Sequence, residues 1–196
     1  LYTRISQDLL ADLDEAQDLF GSNFNVMAHY GMESTRGGPQ DEMRGTIMSK
    51  IGALKMLCSH PELLKSSAAK FKLMSGEGSA YVTELVDGGL LDSVGNSPKL
   101  DYLTQYVKDF LDQNQENKVV IFATYVDMLD KIAEALGPEQ CRLYSGKLDA
   151  KTKEDNKVAF NSDPTVRVLI SSDAGGYGVD LPAANMLINY DLPWSS

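Results

Sequence analysis

The sequence has 196 residues, which is enough for one medium-sized domain or a domain with an appendage. Hydrophobic residues make up 43% and charged residues 23%, the composition of an ordinary globular protein. The net charge of −10 at pH 7 argues against a dedicated nucleic-acid-binding domain, because such domains are usually basic. Any binding of nucleic acid by this chain should therefore be weak, local and made by a few aligned groups.

Cysteine usage and apolar runs exclude two further classes of protein. Cys58 and Cys141 stand far apart in unlike contexts, so they fit neither a disulfide framework nor a zinc pattern and favour a reducing intracellular compartment. The longest apolar runs are about six residues, far too short to cross a membrane. The chain opens at Leu1 rather than Met and shows no signal peptide, so we expect a fragment of a longer protein.

The first two segments differ in regularity. Residues 1–66 read as helical, and within 41–58 apolar residues recur at three- and four-residue spacings, which predicts one apolar helix face that ends before Pro61. The acidic residues of the first helix are expected on a solvated face rather than in a metal site; they are Asp8, Asp12, Asp14, Glu15 and Asp18. Residues 67–97 are rich in glycine and predict a flexible connector with one short helix near residues 80–86.

Residues 98–196 alternate between amphipathic helices and short apolar runs. Such alternation predicts βαβ units and a parallel sheet. The predicted fold class is therefore α/β, a parallel sheet with helices on both faces, preceded by a helical N-terminal segment. The predicted helices cover 98–115, 126–136 and 149–160, and the predicted strands cover 118–123, 141–144, 166–171 and 185–190.

The loops that follow the predicted strands are the candidate binding sites, because ligands of open parallel sheets bind outside the carboxyl ends of the strands. Thr124 follows the first strand, Ser145 and Gly146 follow the second, and Ser172 opens the glycine-rich loop after the third. The third loop has the glycines for a close approach of a ligand to the backbone and a capping residue for an anion-binding helix start. It is neither a Walker loop nor a dinucleotide fingerprint, and each loop alone also fits an ordinary turn.

The sequence contains no complete catalytic site. It shows no Ser-His-Asp arrangement, no metal-ligand cluster and no phosphate loop. His60 precedes Pro61 and is expected to have a structural role at a helix end. Trp194 could stack on a base, although packing within its own domain is the more common role of such a residue. A domain of this kind performs chemistry only together with another domain, or not at all.

Six short segments stand at the ends of predicted helices and strands. They are ALKMLCSHP at 53–61, SPKL at 97–100, KVVIFATY at 118–125, YSG at 144–146, LISSDAGGYGVDL at 169–181 and YDLPW at 190–194. In this order they resemble the conserved motifs of the second, C-terminal RecA-like lobe of Swi/Snf-type superfamily-two ATPases. One departure is Asp180, where the Swi/Snf group usually has Asn, although Asp is common in the wider helicase superfamily.

The resemblance implies a division of labour between two lobes. A first RecA-like lobe of the same parent chain would carry the phosphate loop and most of the Mg²⁺ ligands, and this lobe would close over ATP. The family's arginine motif normally follows the position of Trp194, so we expect a lobe cut before that motif, with no catalytic residue and no metal ligand of its own. The partner would be DNA, with RNA possible, and no membrane. The residues implied on the ATP side are Gly178 and Asp180, and those on the nucleic-acid backbone are Thr124, Ser145, Gly146, Ser172 and Gly175.

Two other interpretations remain open at the level of the sequence. The chain could be a stand-alone α/β nucleotide-binding module, since a doubly wound fold alone says little about function. It could also be an interaction domain whose acidic helical segment binds a partner protein. The ordered set of six segments favours the motor lobe, because a generic module has no reason to carry all of them.

Overall fold

A computed structural model describes residues 1–22, 24–26, 38–74, 77–92, 94–172 and 179–192. The chain divides into two compact units, Leu1–Asn96 and Ser97–Ser196, and each unit has an apolar core of its own. Among the described helices, none combines the length and the apolar character needed to cross a bilayer.

The described part of the first unit is helical. Its helices are α1 (Tyr2–Phe20), α2 (Pro39–Ser59), α3 (Glu62–Lys72) and α4 (Ala80–Asp87). Helix α2 has Pro39 at its first position, where a missing N–H costs nothing, and acidic residues in its first turn that favour the positive end of the helix dipole. The helix predicted from residues 41–58 thus lies within α2, and the predicted short helix near 80–86 lies within α4.

The predicted flexible connector at residues 67–97 differs from the structure. Helix α3 runs through the predicted boundary, because Leu64 and Ala68 lie one turn apart and pack into the same apolar core. Gly78 serves a tight turn, because its φ is +93° and a Cβ there would clash with the carbonyl oxygen of Ser67. The core of the first unit comprises Ile5, Ala53, Leu64, Ala68, Val82, Leu85 and Leu91.

A buried charge network fixes α1 against α2 and α4. The ammonium of Lys50, a residue only 9% exposed, donates to the carbonyl oxygen of Asp8 at 3.0 Å and lies 2.6 Å from the carboxylate of Asp12. The hydroxyl of Tyr81 donates to the carboxylate of Asp8 at 2.9 Å. Asp8 and Asp12 are thus half-buried against this network rather than solvated. The other acidic residues of the predicted solvated face are exposed as expected: Asp14, Glu15 and Asp18.

The second unit is the predicted α/β domain. Its four described strands form one parallel sheet in the order β2-β3-β1-β4, which confirms the predicted fold class. The elements are α5 (Pro98–Gln113), β1 (Val119–Ala123), α6 (Val126–Leu136), a 3₁₀ turn (Pro138–Gln140), β2 (Cys141–Tyr144), α7 (Ala150–Ser162), β3 (Val168–Ser172) and β4 (Met186–Asn189).

Helices α6 and α7 cover opposite faces of the sheet. In the strand order β2-β3-β1-β4, the connection from β1 to β2 runs toward the β2 edge of the sheet. The connections from β2 to β3 and from β3 to β4 run in the opposite direction, toward the β4 edge. Since parallel crossovers are right-handed, the two directions place their connections on opposite faces. Val120 and Leu169 pack on Phe160 of α7, and the neighbouring Ile121 and Ile170 point to the other face.

Strand order also fixes where a crevice opens. Strands β1 and β3 are neighbours, but the segment after β1 leads into α6, whereas Leu181 and Ala183, which come after β3, pack on the side of α7. Neighbouring strands whose following segments leave to opposite faces form the switch point where open α/β sheets bind ligands. The carboxyl ends of β1 and β3 are therefore the first place to look for a site.

Candidate functional site

The residues predicted from three separate loops meet at the carboxyl edge of the sheet. Ala123 of β1 pairs with Ser172 of β3, and Tyr144 of β2 pairs with Ser171. Thr124 and Ser145 each come one residue after these strands, so they flank Ser172 on its two sides. With Gly146 they form what we call the carboxyl-edge row, defined as Thr124, Ser145, Gly146 and Ser172.

Members of the row differ in exposure. Ser145 and Ser172 are each only 4% exposed, and Thr124 is half-buried. Gly146 is exposed, and a Cβ built on it meets nothing within 4 Å. A ligand can therefore approach Gly146 directly and Thr124 in part, while Ser145 and Ser172 lie beneath the surface. Sequence patterns do not distinguish these four positions, because burial at a strand end depends on neighbours that the pattern does not show.

The turn after β2 leads directly into a capped helix. The amide of Leu148 donates to the carbonyl oxygen of Ser145 at 3.1 Å, which closes the turn. Asp149 then caps α7, accepting a hydrogen bond from the amide of Thr152 at 2.9 Å. Hydrogen bonds from Thr152 hold the pKa of the Asp149 carboxyl below its usual range. Gly146 is thus held in a defined turn between a strand and a helix.

Asp191 is a member of the site to which sequence reasoning gave no role. Its carboxylate accepts a hydrogen bond from the amide of Thr124 at 3.1 Å and lies 2.8 Å from the ammonium of Lys99. The ammonium of Lys99 also lies 4.1 Å from the centre of the Tyr190 ring. The signal was present in the sequence, because Lys99 and Asp191 each belong to one of the six motif segments, but nothing there showed that they meet.

Tyr190 anchors this corner of the sheet. The amide of Tyr190 donates to the carbonyl oxygen of Phe122 at 2.8 Å, and Tyr190 is only 5% exposed. Burial raises the pKa of Tyr190 to about 12; a hydrogen bond with Ser97 opposes that rise, and the nearby carboxylates of Asp191 and Asp101 add to it. The phenol is therefore neutral at physiological pH.

Asp180 does not lie in the carboxyl-edge row. Its residue is exposed, and its carbonyl oxygen accepts a hydrogen bond at 3.5 Å from the side-chain amide of Asn161, near the C-terminal end of α7. That end of α7 lies at the amino edge of the sheet, where Lys118 holds the carbonyl of Phe160. The chain must return to this edge to begin β4, which explains the separation. Gly175 and Gly178 lie outside the described residues.

No metal centre is found in the described ranges, which contain no group of three or more His, Cys, Asp or Glu side chains able to hold an ion. His60 is 6% exposed, and its Nδ1 accepts a hydrogen bond from the amide of Glu62 at 3.1 Å, at the junction of α2 and α3. This geometry agrees with the structural role predicted for it. Trp194 lies outside the described residues.

Comparisons with known proteins agree on one family. The model of the family described as "Helicase conserved C-terminal domain" matches residues 98–196. The chicken (Gallus gallus) DNA repair and recombination protein RAD54B is 32% identical over 163 residues, which cover 74% of this chain and 17% of that protein. The human SWI/SNF-related matrix-associated actin-dependent regulator of chromatin subfamily A member 1 is 28% identical over 163 residues, or 81% of this chain and 14% of that protein.

A solved structure shows the same fold. The Sulfolobus solfataricus SWI2/SNF2 ATPase core in complex with dsDNA superposes with a TM-score of 0.61 at 23% identity, covering 97% of this chain and 31% of that one. The present chain thus spans between 14% and 31% of the length of these three proteins.

Proposed function

The chain belongs to the helicase conserved C-terminal domain family, as a C-terminal RecA-like lobe of the Swi2/Snf2 type, and from this premise we propose that it is one half of an ATP-driven DNA translocase. The lobe supplies part of the track for the nucleic-acid backbone and one side of the ATP cleft. A second RecA-like lobe supplies the phosphate loop and most of the Mg²⁺ ligands. The observation that carries the proposal is the convergence of three motif loops on the carboxyl-edge row at the switch point of the sheet.

The track is proposed at the exposed part of that row. The main chain at Gly146 and the side chain of Thr124 would contact backbone phosphates, with Ser145 and Ser172 supporting the loops from beneath and Gly175 adding a contact from the third loop. Contacts of this kind use amides and hydroxyls, so they need little positive charge and are compatible with the net charge of −10. They read no base sequence, so the motor would be largely sequence-tolerant.

The nucleotide is proposed on a different surface, at Asp180 and Gly178. Asp180 is exposed, so its carboxylate lies at the surface of the unit, and its carbonyl oxygen accepts a hydrogen bond from Asn161. A carboxylate repels phosphate but accepts hydrogen bonds, so Asp180 would bind ribose hydroxyls rather than the triphosphate. Bound ATP supplies the free energy of its hydrolysis for the relative motion of two lobes.

DNA is the proposed nucleic acid. One relative is named for DNA repair and recombination, one is named for chromatin, and one related structure is described in complex with dsDNA. The protein would then act in the compartment that holds the genome. An ATPase assay that compares several nucleic acids would distinguish DNA from RNA as the substrate.

The test is nucleic-acid-stimulated ATPase activity of the complete motor protein that carries this lobe. Duplex DNA should stimulate turnover more than single-stranded DNA or RNA does. Gly146→Ala should raise the DNA concentration for half-maximal stimulation, because the added methyl group has room in the fold but stands where a phosphate approaches. Gly95→Ala, whose Cβ also meets nothing within 4 Å, is the matched control and should change nothing. The proposal would be contradicted if RNA but not DNA stimulated ATP turnover, or if no nucleic acid stimulated it at all.

A further inference from the structure

The carboxyl edge of β1 is held by a residue from the far end of the unit. Asp191 lies 67 positions after Thr124 and 92 positions after Lys99, yet its two carboxylate oxygens are divided between them. One oxygen takes the amide of Thr124, the first residue of the loop after β1. The other takes the ammonium of Lys99 in the first turn of α5.

The surroundings of Lys99 restrict it to this position. Ser97 caps α5 by accepting a hydrogen bond from the amide of Leu100 at 3.3 Å, which fixes the first turn of the helix. The ring of Tyr190 lies under the ammonium, and an aromatic face attracts a cation. The amide of Tyr190 in turn extends the pairing of β4 with β1. Asp191 therefore projects from a rigid strand end toward a rigid helix start.

Stability alone does not explain an ion pair at this place. The side chain of Lys99 is 37% exposed and that of Asp191 is 11% exposed, and a partly exposed pair contributes little to folding after desolvation is counted. An apolar contact would join α5 to β4 equally well. What Asp191 provides here is a side-chain acceptor for the amide of Thr124 that is held in place by the ammonium of Lys99.

We infer that Asp191 and Lys99 are positioning residues that hold the loop after β1 in the conformation in which Thr124 contacts a backbone phosphate. The inference rests on the proposed function and goes beyond it, since neither residue is itself assigned a contact with nucleic acid. Asp191 fixes the main chain at Thr124, and Lys99 fixes Asp191. Without the pair, the loop samples other conformations and each phosphate contact costs more to form.

The experiment uses the complete motor protein and separates affinity for DNA from turnover. The variants are Asp191→Ala, Asp191→Asn, Lys99→Met and Lys99→Arg, with Asp109→Asn on the exposed face of α5 as the matched control. Thr124→Val tests the proposed contact itself. The readouts are the DNA concentration for half-maximal ATPase stimulation, kcat at saturating DNA, and thermal unfolding.

For Asp191→Ala and Lys99→Met we expect a roughly three- to tenfold rise in the half-saturating DNA concentration, with kcat at saturating DNA within twofold of the parent. Asp191→Asn keeps an oxygen for the amide of Thr124 but loses the ion pair, so its effect should be smaller. Lys99→Arg keeps the charge and should restore affinity. Asp109→Asn should match the parent.

Three results would overturn the inference. If Thr124→Val weakens DNA affinity but every Asp191 and Lys99 variant stays within twofold of the parent, the positioning role is wrong and the proposed function stands. If Asp191→Ala unfolds while Asp191→Asn and Lys99→Met fold and bind DNA normally, the pair is structural only. If no nucleic acid stimulates the unmodified protein, the proposed function fails and this inference falls with it.

Discussion

The ammonium of Lys118 donates to the carbonyl oxygen of Phe160 at 2.5 Å, so the residue before β1 closes the last turn of α7. The same ammonium donates to the carbonyl of Asp163 at 2.7 Å, and Lys118 is only 8% exposed. Burial lowers the pKa of Lys118, while Asp163 opposes that shift. This lysine supplies the donor for the carbonyl of Phe160 at the end of α7 and a second donor for the carbonyl of Asp163, which also accepts from the amide of Val166 at 3.2 Å.

Lys118→Met should therefore destabilise the second unit by about 1–3 kcal/mol, because it removes the donor and leaves the carbonyl oxygen of Phe160 unsatisfied. Urea unfolding of the 196-residue chain, followed by hydrogen exchange at the end of α7, measures the effect. Lys108→Met, at an exposed position on α5, is the control and should stay within about 0.5 kcal/mol of the parent. Equal stability of the two variants would show that water replaces the lysine.

Two glycine-to-alanine substitutions should change the stability of the first unit in opposite directions. Gly78→Ala should destabilise by about 1–3 kcal/mol, because φ is +93° and the new Cβ lies 2.7 Å from the amide nitrogen of Phe71. Gly45→Ala should stabilise by about 0.5–1 kcal/mol, because Gly45 lies within α2 and its Cβ meets open space. The measurement is the unfolding midpoint of each variant. A gain in stability from Gly78→Ala would mean that the turn between α3 and α4 adapts.

Alkaline pH should destabilise the second unit through Tyr190. Its pKa rises from 10.0 to about 12 on folding, so between these values the unfolded phenol ionises and the folded one does not. The contribution is complete below pH 10 and is lost as pH rises toward 12, with a size on the order of 2 kcal/mol. Tyr190→Phe should flatten the fall in stability over this window but leave part of it, because burial also raises the pKa of the Cys141 thiol in the same unit to about 12. Identical pH profiles for the variant and the parent would exclude Tyr190 as the source.

The sequence predicted the sheet better than it predicted the site. The apolar run of β1 is short and lies between two predicted amphipathic helices, which together indicate a strand buried on both faces. The meeting of Lys99 with Asp191 depends on strand order, which periodicity does not encode. Leu64 and Ala68 show the same limit in the first unit, where glycine content suggested a connector and long-range packing made a helix. The sequence also did not predict that Asp180 lies away from the carboxyl-edge row, because hydrophobic periodicity does not show where the chain returns toward the amino edge of the sheet.

The 196-residue chain alone should hydrolyse no ATP above background. Its sequence contains no Walker-type phosphate loop, and its described residues contain no cluster of metal-ligating side chains. Phosphate release measured with duplex DNA present and absent is the assay, and the complete motor protein is the positive control. Turnover that follows the 196-residue chain through purification and is lost on its unfolding would refute this expectation.

In the complete motor protein, Asp180→Ala should lower DNA-stimulated ATPase activity roughly tenfold, equivalent to about 1.4 kcal/mol, the scale of one hydrogen bond to a charged group. The fold should be intact, because the contact of this residue with α7 is made by its carbonyl oxygen, which alanine retains. Asp180→Asn keeps an acceptor for a ribose hydroxyl and should stay near the parent. Asp155→Ala removes the same charge from an exposed position on α7 and is the matched control. Since a ribose contact acts on nucleotide rather than on DNA, the KM for ATP should rise in Asp180→Ala while the half-saturating DNA concentration stays the same. Unchanged turnover would remove Asp180 from the nucleotide site, and a change confined to DNA affinity would move it to the track.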